Sequence, residues 1–386
     1  MKKMLFILAF LLGTLCTASA GNLLYGPWVH DVDEHGFTVV WVTEKPSLDF
    51  VTIAPDDGTA FEAKARPRYY ETYCGRRVTG RYHKVRIDSL APGTAWRYRI
   101  VGQVLKDGSP YKMSFGPFRK LSPGKRECVV RTFDASADTC RFSMFNDIHF
   151  NDARYTALAK PVDPKKCDFL CLCGDIVSYS RHIDTAAKHS IMPIAEKAEK
   201  LPLVFARGNH EGRGIDFYKF GSLFPTSTGT FYYSFRHGPA AFIVLDAGED
   251  KPDSSHEYAG TADYDSYRAE ETKWLQEAVK DPAFVSAPVK VCLIHVPTFA
   301  LKDSWYSQLW ITKHWTPILE KAGIDLMLCG HHHKWILSEA GQDGHAYPLL
   351  VNSNEDRMDV VISAHSIDIK TFDEKGTLTH SWQKEK

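Results

Sequence analysis

The chain has 386 residues, of which 44% are hydrophobic and 24% charged. That is enough apolar material for one large or two ordinary domains, and it excludes a disordered protein. Lys plus Arg and Asp plus Glu both number 47, so no excess of charge points to nucleic acid or to an anionic membrane surface.

Residues 1–20 carry Lys2 and Lys3, an apolar run from Leu5 to Leu12, and then Ala18-Ser19-Ala20. This pattern predicts a cleaved Sec signal, with an apolar run too short to span a bilayer. Cleavage before Gly21 would leave 45 basic against 47 acidic residues, a net charge of −2. The product would be periplasmic or secreted. A lipoprotein attached through Cys16 is the lesser alternative, because the bulky Leu15 precedes that cysteine. No later stretch reads as a transmembrane anchor.

From Leu23 to about Phe133 the sequence is made of short β segments. Residues 37–42 are β-rich and apolar, and residues 83–87 and 96–100 alternate. Asp57-Gly58, Pro92-Gly93 and Asp107-Gly108 supply turns between them. The expectation is an antiparallel β-sandwich over residues 22–135, with Trp41 between its sheets. No cluster of His, Asp or Glu gives this part a catalytic look, so a supporting role is expected. Tyr69, Tyr70 and Tyr73 fit either a cleft wall or a turn. A linker containing Leu121-Ser122-Pro123-Gly124 leads to a boundary between Ala135 and Thr139.

Over residues 139–386 the grammar becomes strand, loop, helix. Apolar strands over 141–145, 168–173, 203–206, 289–294 and 324–329 each run into a polar cluster. A hairpin is predicted over 230–246, helices over 182–200, 267–280 and 315–322, and further strands over 360–369 and 377–382. This is α/β with mixed sheets, and its clusters sit at strand carboxyl ends, where open α/β sheets place their sites.

Those clusters are Asp147-Ile148-His149, Gly174-Asp175, Gly208-Asn209-His210-Glu211, His295 and Gly330-His331-His332-His333. Asp147, His149, Asp175, Asn209, His295, His331 and His333 are seven oxygen and nitrogen donors with no thiolate among them. Seven exceed what one tetrahedral zinc uses, and suit two ions of the iron, manganese or zinc kind. The i, i+2 spacing of Asp147 with His149, and of His331 with His333, predicts extended loops with His332 facing elsewhere. Cys171, Cys173, Cys292 and Cys329 read as small buried hydrophobes. One pair among Cys74, Cys128, Cys140 and Cys167 could be bridged.

In this order, over residues 147–333, the motifs resemble the calcineurin-like metallophosphoesterases. The preceding sandwich, residues 232–246 and His295-Val296-Pro297 are similar to the purple acid phosphatase branch. Residues 90–98 resemble a fibronectin type III corner. The resemblance implies an αββα sandwich of two mixed sheets behind a fibronectin III-like domain. It implies hydrolysis of small phosphate esters by metal-activated hydroxide, monoesters favoured. Asp147, His149, Asp175 and His333 would hold one ion, and Asp175, Asn209, His295 and His331 the other, with Asp175 bridging. Asn209 and His210 would bind substrate, and His210 would assist the leaving group. Two departures stand out. Ser178 occupies the place of the branch's tyrosine ligand, and His149 replaces a glycine. Ser178 also lacks the charge with which related enzymes orient the catalytic histidine. A phosphodiesterase acting on nucleotides or lipid head groups is the alternative within the class, with Trp305, Tyr306 and Trp310 either stacking on a base or packing in the core. A binding or adhesion protein with a vestigial metal site is the alternative outside it.

Overall fold

The computed structural model describes residues 22–121, 127–299 and 304–386. The expected signal at 1–20, with Cys16, lies outside these residues, as do Ser122, Pro123 and Gly124 of the linker. Among the described residues no helix is long and apolar enough to cross a membrane.

Two sheets carry the second part of the chain. In the first, Thr139–Phe145, Phe169–Leu172 and Leu203–Phe205 run parallel, and Arg357–Ser363, Ser366–Phe372 and Leu378–Glu385 extend it antiparallel. In the second, Ala240–Leu245, Val289–Ile294, Leu326–Cys329 and Leu349–Val351 are parallel, with Tyr233–His237 and Ile336–Ser338 antiparallel at its margins. Alternation along the strands divides the apolar side chains between two faces. Phe142, Met144 and Phe169 of the first sheet meet Phe242, Val244 and Leu293 of the second in one core cluster. Phe142 and Phe169 stack at 4.7 Å, and Phe242 sits edge-on to both.

The outer faces are covered by helices. Phe145, Leu170 and Phe205 pack on Tyr155, Leu158 and Ile191 of Asp152–Ala159 and Ile183–Ile191. Ile243, Cys292 and Met327 pack on Leu275, Ile311 and Trp315 of Tyr264–Ala278 and Tyr306–Ala322. Burial on both faces is why these strands are continuous apolar runs.

The β-rich first part joins this body through one strand. Leu23–His30 pairs antiparallel with Phe37–Pro55 and touches Leu203 of the first sheet through a parallel bridge at His30. Phe37–Pro55 is long enough to serve two partners. Its first half pairs with Gly80–Ile87 and its second half with Ala95–Ser109. Trp41, Val51, Ile53, Tyr98 and Ile100 are buried in the same apolar cluster that runs on into Phe142 and Phe242. The Asp184 carboxylate, on the helix Ile183–Ile191, accepts from Arg81 at 3.1 Å and from the Tyr82 hydroxyl.

Several local expectations are corrected. The helix expected over 182–200 is broken: Ile183–Ile191 gives way to a tight turn at Met192–Ile194, where Pro193 lacks the N–H that a continuing helix needs. The helix expected over 315–322 begins nine residues earlier, at Tyr306. Cys74, Cys128, Cys140 and Cys167 are all free, so no pair among them is bridged. Cys171, Cys173, Cys292 and Cys329 are buried.

Candidate metal centre

Five parallel strands end on one side of the molecule, and the loops that follow carry the seven donors. These loops are not extended. Asp147, His149, Asp175, His331 and His333 have φ of 52°, 49°, 53°, 75° and 57°. Asp and His tolerate this left-handed region better than most residues, at a cost of about 1 kcal/mol or more each. The i, i+2 residues therefore reach the centre from tight left-handed kinks, which correct the expected alternation along an extended segment.

The kinks bring distant residues together. His333 Nε2 lies 3.1 Å from Asp147 Oδ1, and His149 Nε2 lies 3.2 Å from His333 Nε2. His149 Nε2 is also 3.7 Å from Asp175 Oδ2. On the other side, His295 Nε2 is 3.2 Å from Asp175 Oδ2 and 3.8 Å from Asp147 Oδ1. Two groups of donor atoms form on these residues, Asp147 with His149 and His333, and Asp175 with His295 and His331. A third joins His149 and Asp175 to His210.

The buried acids and imidazoles shift one another. Burial alone would lower the His295 imidazole, yet the Asp175 and Asp147 carboxylates push it up to about 10. Burial works against both carboxylates, yet His295 holds each of them below the usual range. His331 falls to about 4, through burial and then the charge on His295. The two buried carboxylates thus call for positive charge, which a proton on His295 or a bound cation would supply; with a cation there, His295 Nε2 would offer its lone pair instead.

The same residues pass a test of fit to metal ions. Asp147 Oδ1, Asn209 Oδ1 and His295 Nε2 are buried with no hydrogen-bond partner. Leaving such atoms unmatched is costly, and a cation satisfies all three at once. His295 Nδ1 lies 2.7 Å from the Cys173 carbonyl. A carbonyl can only accept, so Nδ1 carries its hydrogen and Nε2 turns toward the acids. The backing of one ring nitrogen by a carbonyl is how ligating histidines are held. Two glycines admit the close approach. A Cβ on Gly208 would stand 2.2 Å from Asp175 Oδ1, and one on Gly330 2.6 Å from Asp147 Oδ2.

Sequence reasoning quoted Glu211 within its motif without giving it a task. Its buried carboxylate accepts from the backbone N–H of Asp175 at 2.9 Å, Ile176 at 2.8 Å, Val177 at 3.3 Å and Gly208 at 2.9 Å. One side chain thus ties the loop after Leu172 to the loop after Phe205. Reasoning from sequence also passed over Arg213, Glu249 and Asp250. The last two follow the strand Ala240–Leu245, so the strand-end rule that located the other donors reaches them too.

His210 is held by backbone. Its Nδ1 donates to the Ser178 carbonyl at 2.9 Å, so Ser178 orients the ring without needing a charged side chain. His210 Nε2 is 3.8 Å from Asp175 Oδ2. His332 turns aside, with its Nε2 3.2 Å from Gln308 Nε2 and its ring against Phe299. Of the three aromatic residues after His295, Trp310 packs against the core as one reading expected, and Trp305 and Tyr306 stand at the surface. Trp305 is half exposed beneath the Lys251 ammonium, 5.1 Å from its ring. The Tyr306 hydroxyl donates to Asp265 at 2.8 Å. Trp310 packs against the core and stacks on His314 at 4.1 Å.

Two mixed sheets with acid and imidazole at their strand ends define a metallophosphoesterase fold. Residues 141–335 match the family model of the calcineurin-like phosphoesterases, and the chain belongs to that family. Purple acid phosphatase 18 of Arabidopsis thaliana is 23% identical over 339 residues, covering 82% of this chain and 66% of that protein. The purple acid phosphatase from yellow lupin (Lupinus luteus) seeds superposes with a TM-score of 0.67 at 12% identity, covering 94% of this chain and 74% of the lupin chain. At that identity the likeness is one of fold, and it takes in both the β-rich first part and the α/β body.

Proposed function

We propose that the chain is a metal-dependent phosphoric ester hydrolase that acts on small phosphate monoesters. The observation that carries this reading is the convergence, in one largely buried cluster, of donors from five strand ends, among which Asp147 Oδ1, Asn209 Oδ1 and His295 Nε2 find no hydrogen-bond partner. Asp147, His149, Asp175 and His333 would hold one ion, and Asp175, Asn209, His295 and His331 the other. Two such ions supply Lewis acidity, which lowers the pKa of water and offsets phosphoryl charge.

The protein's own groups do the rest. Glu211 fixes the loops that carry Asp175 and Asn209. His210, with Nδ1 committed to Ser178, presents Nε2 toward the reacting phosphoryl group, and a proton held there passes to the leaving oxygen. Ser178 stands where a tyrosine ligand would stand in the purple acid phosphatase branch, so the loaded protein should lack a tyrosinate charge-transfer band.

The same reading covers what surrounds the site. Residues 22–135 form a fibronectin III-like supporting sandwich and residues 139–386 the catalytic domain. Residues 1–20 direct export to the periplasm or beyond, and the partner is a small phosphate ester. Turnover of p-nitrophenyl phosphate and bis(p-nitrophenyl) phosphate, measured beside metal content, tests the proposal. Metal-dependent hydrolysis favouring the monoester is expected. A fully loaded protein that hydrolyses neither would overturn it.

A further inference from the structure

Arg213 lies three residues past His210 and is gripped on one edge. Its Nε donates to Glu249 Oε1 at 2.8 Å, and its Nη2 donates to Glu249 Oε2 at 3.1 Å and to Asp250 Oδ2 at 3.3 Å. The Tyr258 hydroxyl holds Glu249 in turn, at 3.2 Å. The other edge faces the centre. Nη1 lies against the His210 imidazole, 2.8 Å from Nε2 and 3.2 Å from Nδ1. A guanidinium has five N–H groups. Three are thereby engaged by carboxylates, and the two on Nη1 lie on the His210 side. The Arg213 side chain is 30% exposed and that of His210 beside it 26%, so a ligand arriving from solvent can meet both. Asp250 also accepts from Asn209 Nδ2 at 3.4 Å, which links the clamp to the donor cluster.

A phosphate monoester has three terminal oxygens and is mostly dianionic near neutral pH, its second pKa being about 6. A diester has two terminal oxygens and one charge, and a carbon-bearing oxygen replaces the third. A planar guanidinium, clamped on one edge and open on the other, recognises the extra anionic oxygen by a charge-assisted hydrogen bond, and an ester oxygen cannot replace it. Resting on the function proposed above, we infer that Arg213 binds a terminal phosphoryl oxygen through Nη1 and sets the preference of this site for monoesters over diesters.

The test compares wild type with Arg213→Lys and Arg213→Ala, the lysine variant keeping a cation beside Glu249 and Asp250. Each is assayed on p-nitrophenyl phosphate and bis(p-nitrophenyl) phosphate. Binding of inorganic phosphate to the metal-loaded proteins is measured by calorimetry. In Arg213→Ala, kcat/KM for the monoester should fall about 10²-fold and for the diester less than about tenfold. Phosphate affinity should weaken with the monoester rate, Arg213→Lys should lie between, and added guanidinium should restore part of the monoester rate. Equal losses on both substrates, or an unchanged phosphate affinity, would overturn the inference. A wild type that hydrolyses neither ester defeats the proposed function instead, and the phosphate titration still judges Arg213.

Discussion

The molecule buries a carboxylate against an imidazole twice, with opposite results. In the β-rich first part, Asp49 accepts from Trp41 Nε1 at 2.9 Å and lies 3.4 Å from His83 Nε2, with Thr43 and Ser47 hydroxyls nearby. Burial raises Asp49 to about 6 and drives His83 down to about 3. In the metal centre His295 rises to about 10, while Asp175 and Asp147 stay below the usual range. The first site has one acid, in mid-strand, facing hydroxyls and an indole that neutral groups can satisfy. The second has two acids at strand ends, close enough that only positive charge relieves them. Burial is shared by both sites, so the number of converging charges decides between a neutral structural pair and a charged centre.

That contrast can be broken at either end. The largest effect is expected from Asp175→Ala, which removes the acid assigned to both proposed ion sites. Turnover should fall by more than the ~10²–10³-fold that losing one transition-state donor costs, and bound metal should fall with it. A mutant that keeps full metal content would refute the bridging role. Next comes His210→Ala, expected to lower kcat by ~10²–10⁴-fold with metal retained. An unchanged kcat would remove His210 from the reaction.

At Asp49 the effect is on stability. The folded-state pKa of Asp49 lies above its unfolded value, so its contribution turns unfavourable as pH rises from about 4 to about 6. Replacement by the near-isosteric Asp49→Asn should therefore stabilise the protein at pH 8 by about 1–3 kcal/mol, and this gain should shrink below pH 5. His83 acts in the opposite direction. Its folded-state value lies below the unfolded one, so stability is lost as pH falls from about 6.5 toward 3. Denaturant melts of both proteins at pH 5 and pH 8 check the sign, and a variant less stable at pH 8 would contradict it. The smallest effect belongs to Ser178→Ala. Its carbonyl holds His210, and its hydroxyl is only 3.5 Å from His149 Nδ1. Less than about a tenfold change in kcat/KM is expected, and a larger loss would assign the hydroxyl a task the contacts do not give it.

Much of the α/β body was legible because doubly buried strands are uninterrupted apolar runs, and the polar residues that end them stand out. Leu326–Cys329 followed by Gly330-His331-His332-His333 is the plainest case. Four things were not legible. The left-handed backbone at His149 and His333 depends on contacts made after folding, since neither residue demands it. The first nine residues of Tyr306–Ala322 bury the polar Ser307 and Gln308 and expose Leu309, which blurs the helical stripe. Arg213 and Glu249 are 36 residues apart, and nothing local announces that they meet. The junction of the two parts was also hidden, because a single bridge between His30 and Leu203 extends the first sheet into the β-rich first part.

The central claim is that Asp147, His149, Asp175, Asn209, His295, His331 and His333 form a site for two cations. Calorimetric titration of the chelator-stripped protein with Mn²⁺ or Zn²⁺ tests it most directly. Two ions per chain are predicted, with phosphoesterase activity appearing as the second site fills. One ion per chain, or none, would contradict it.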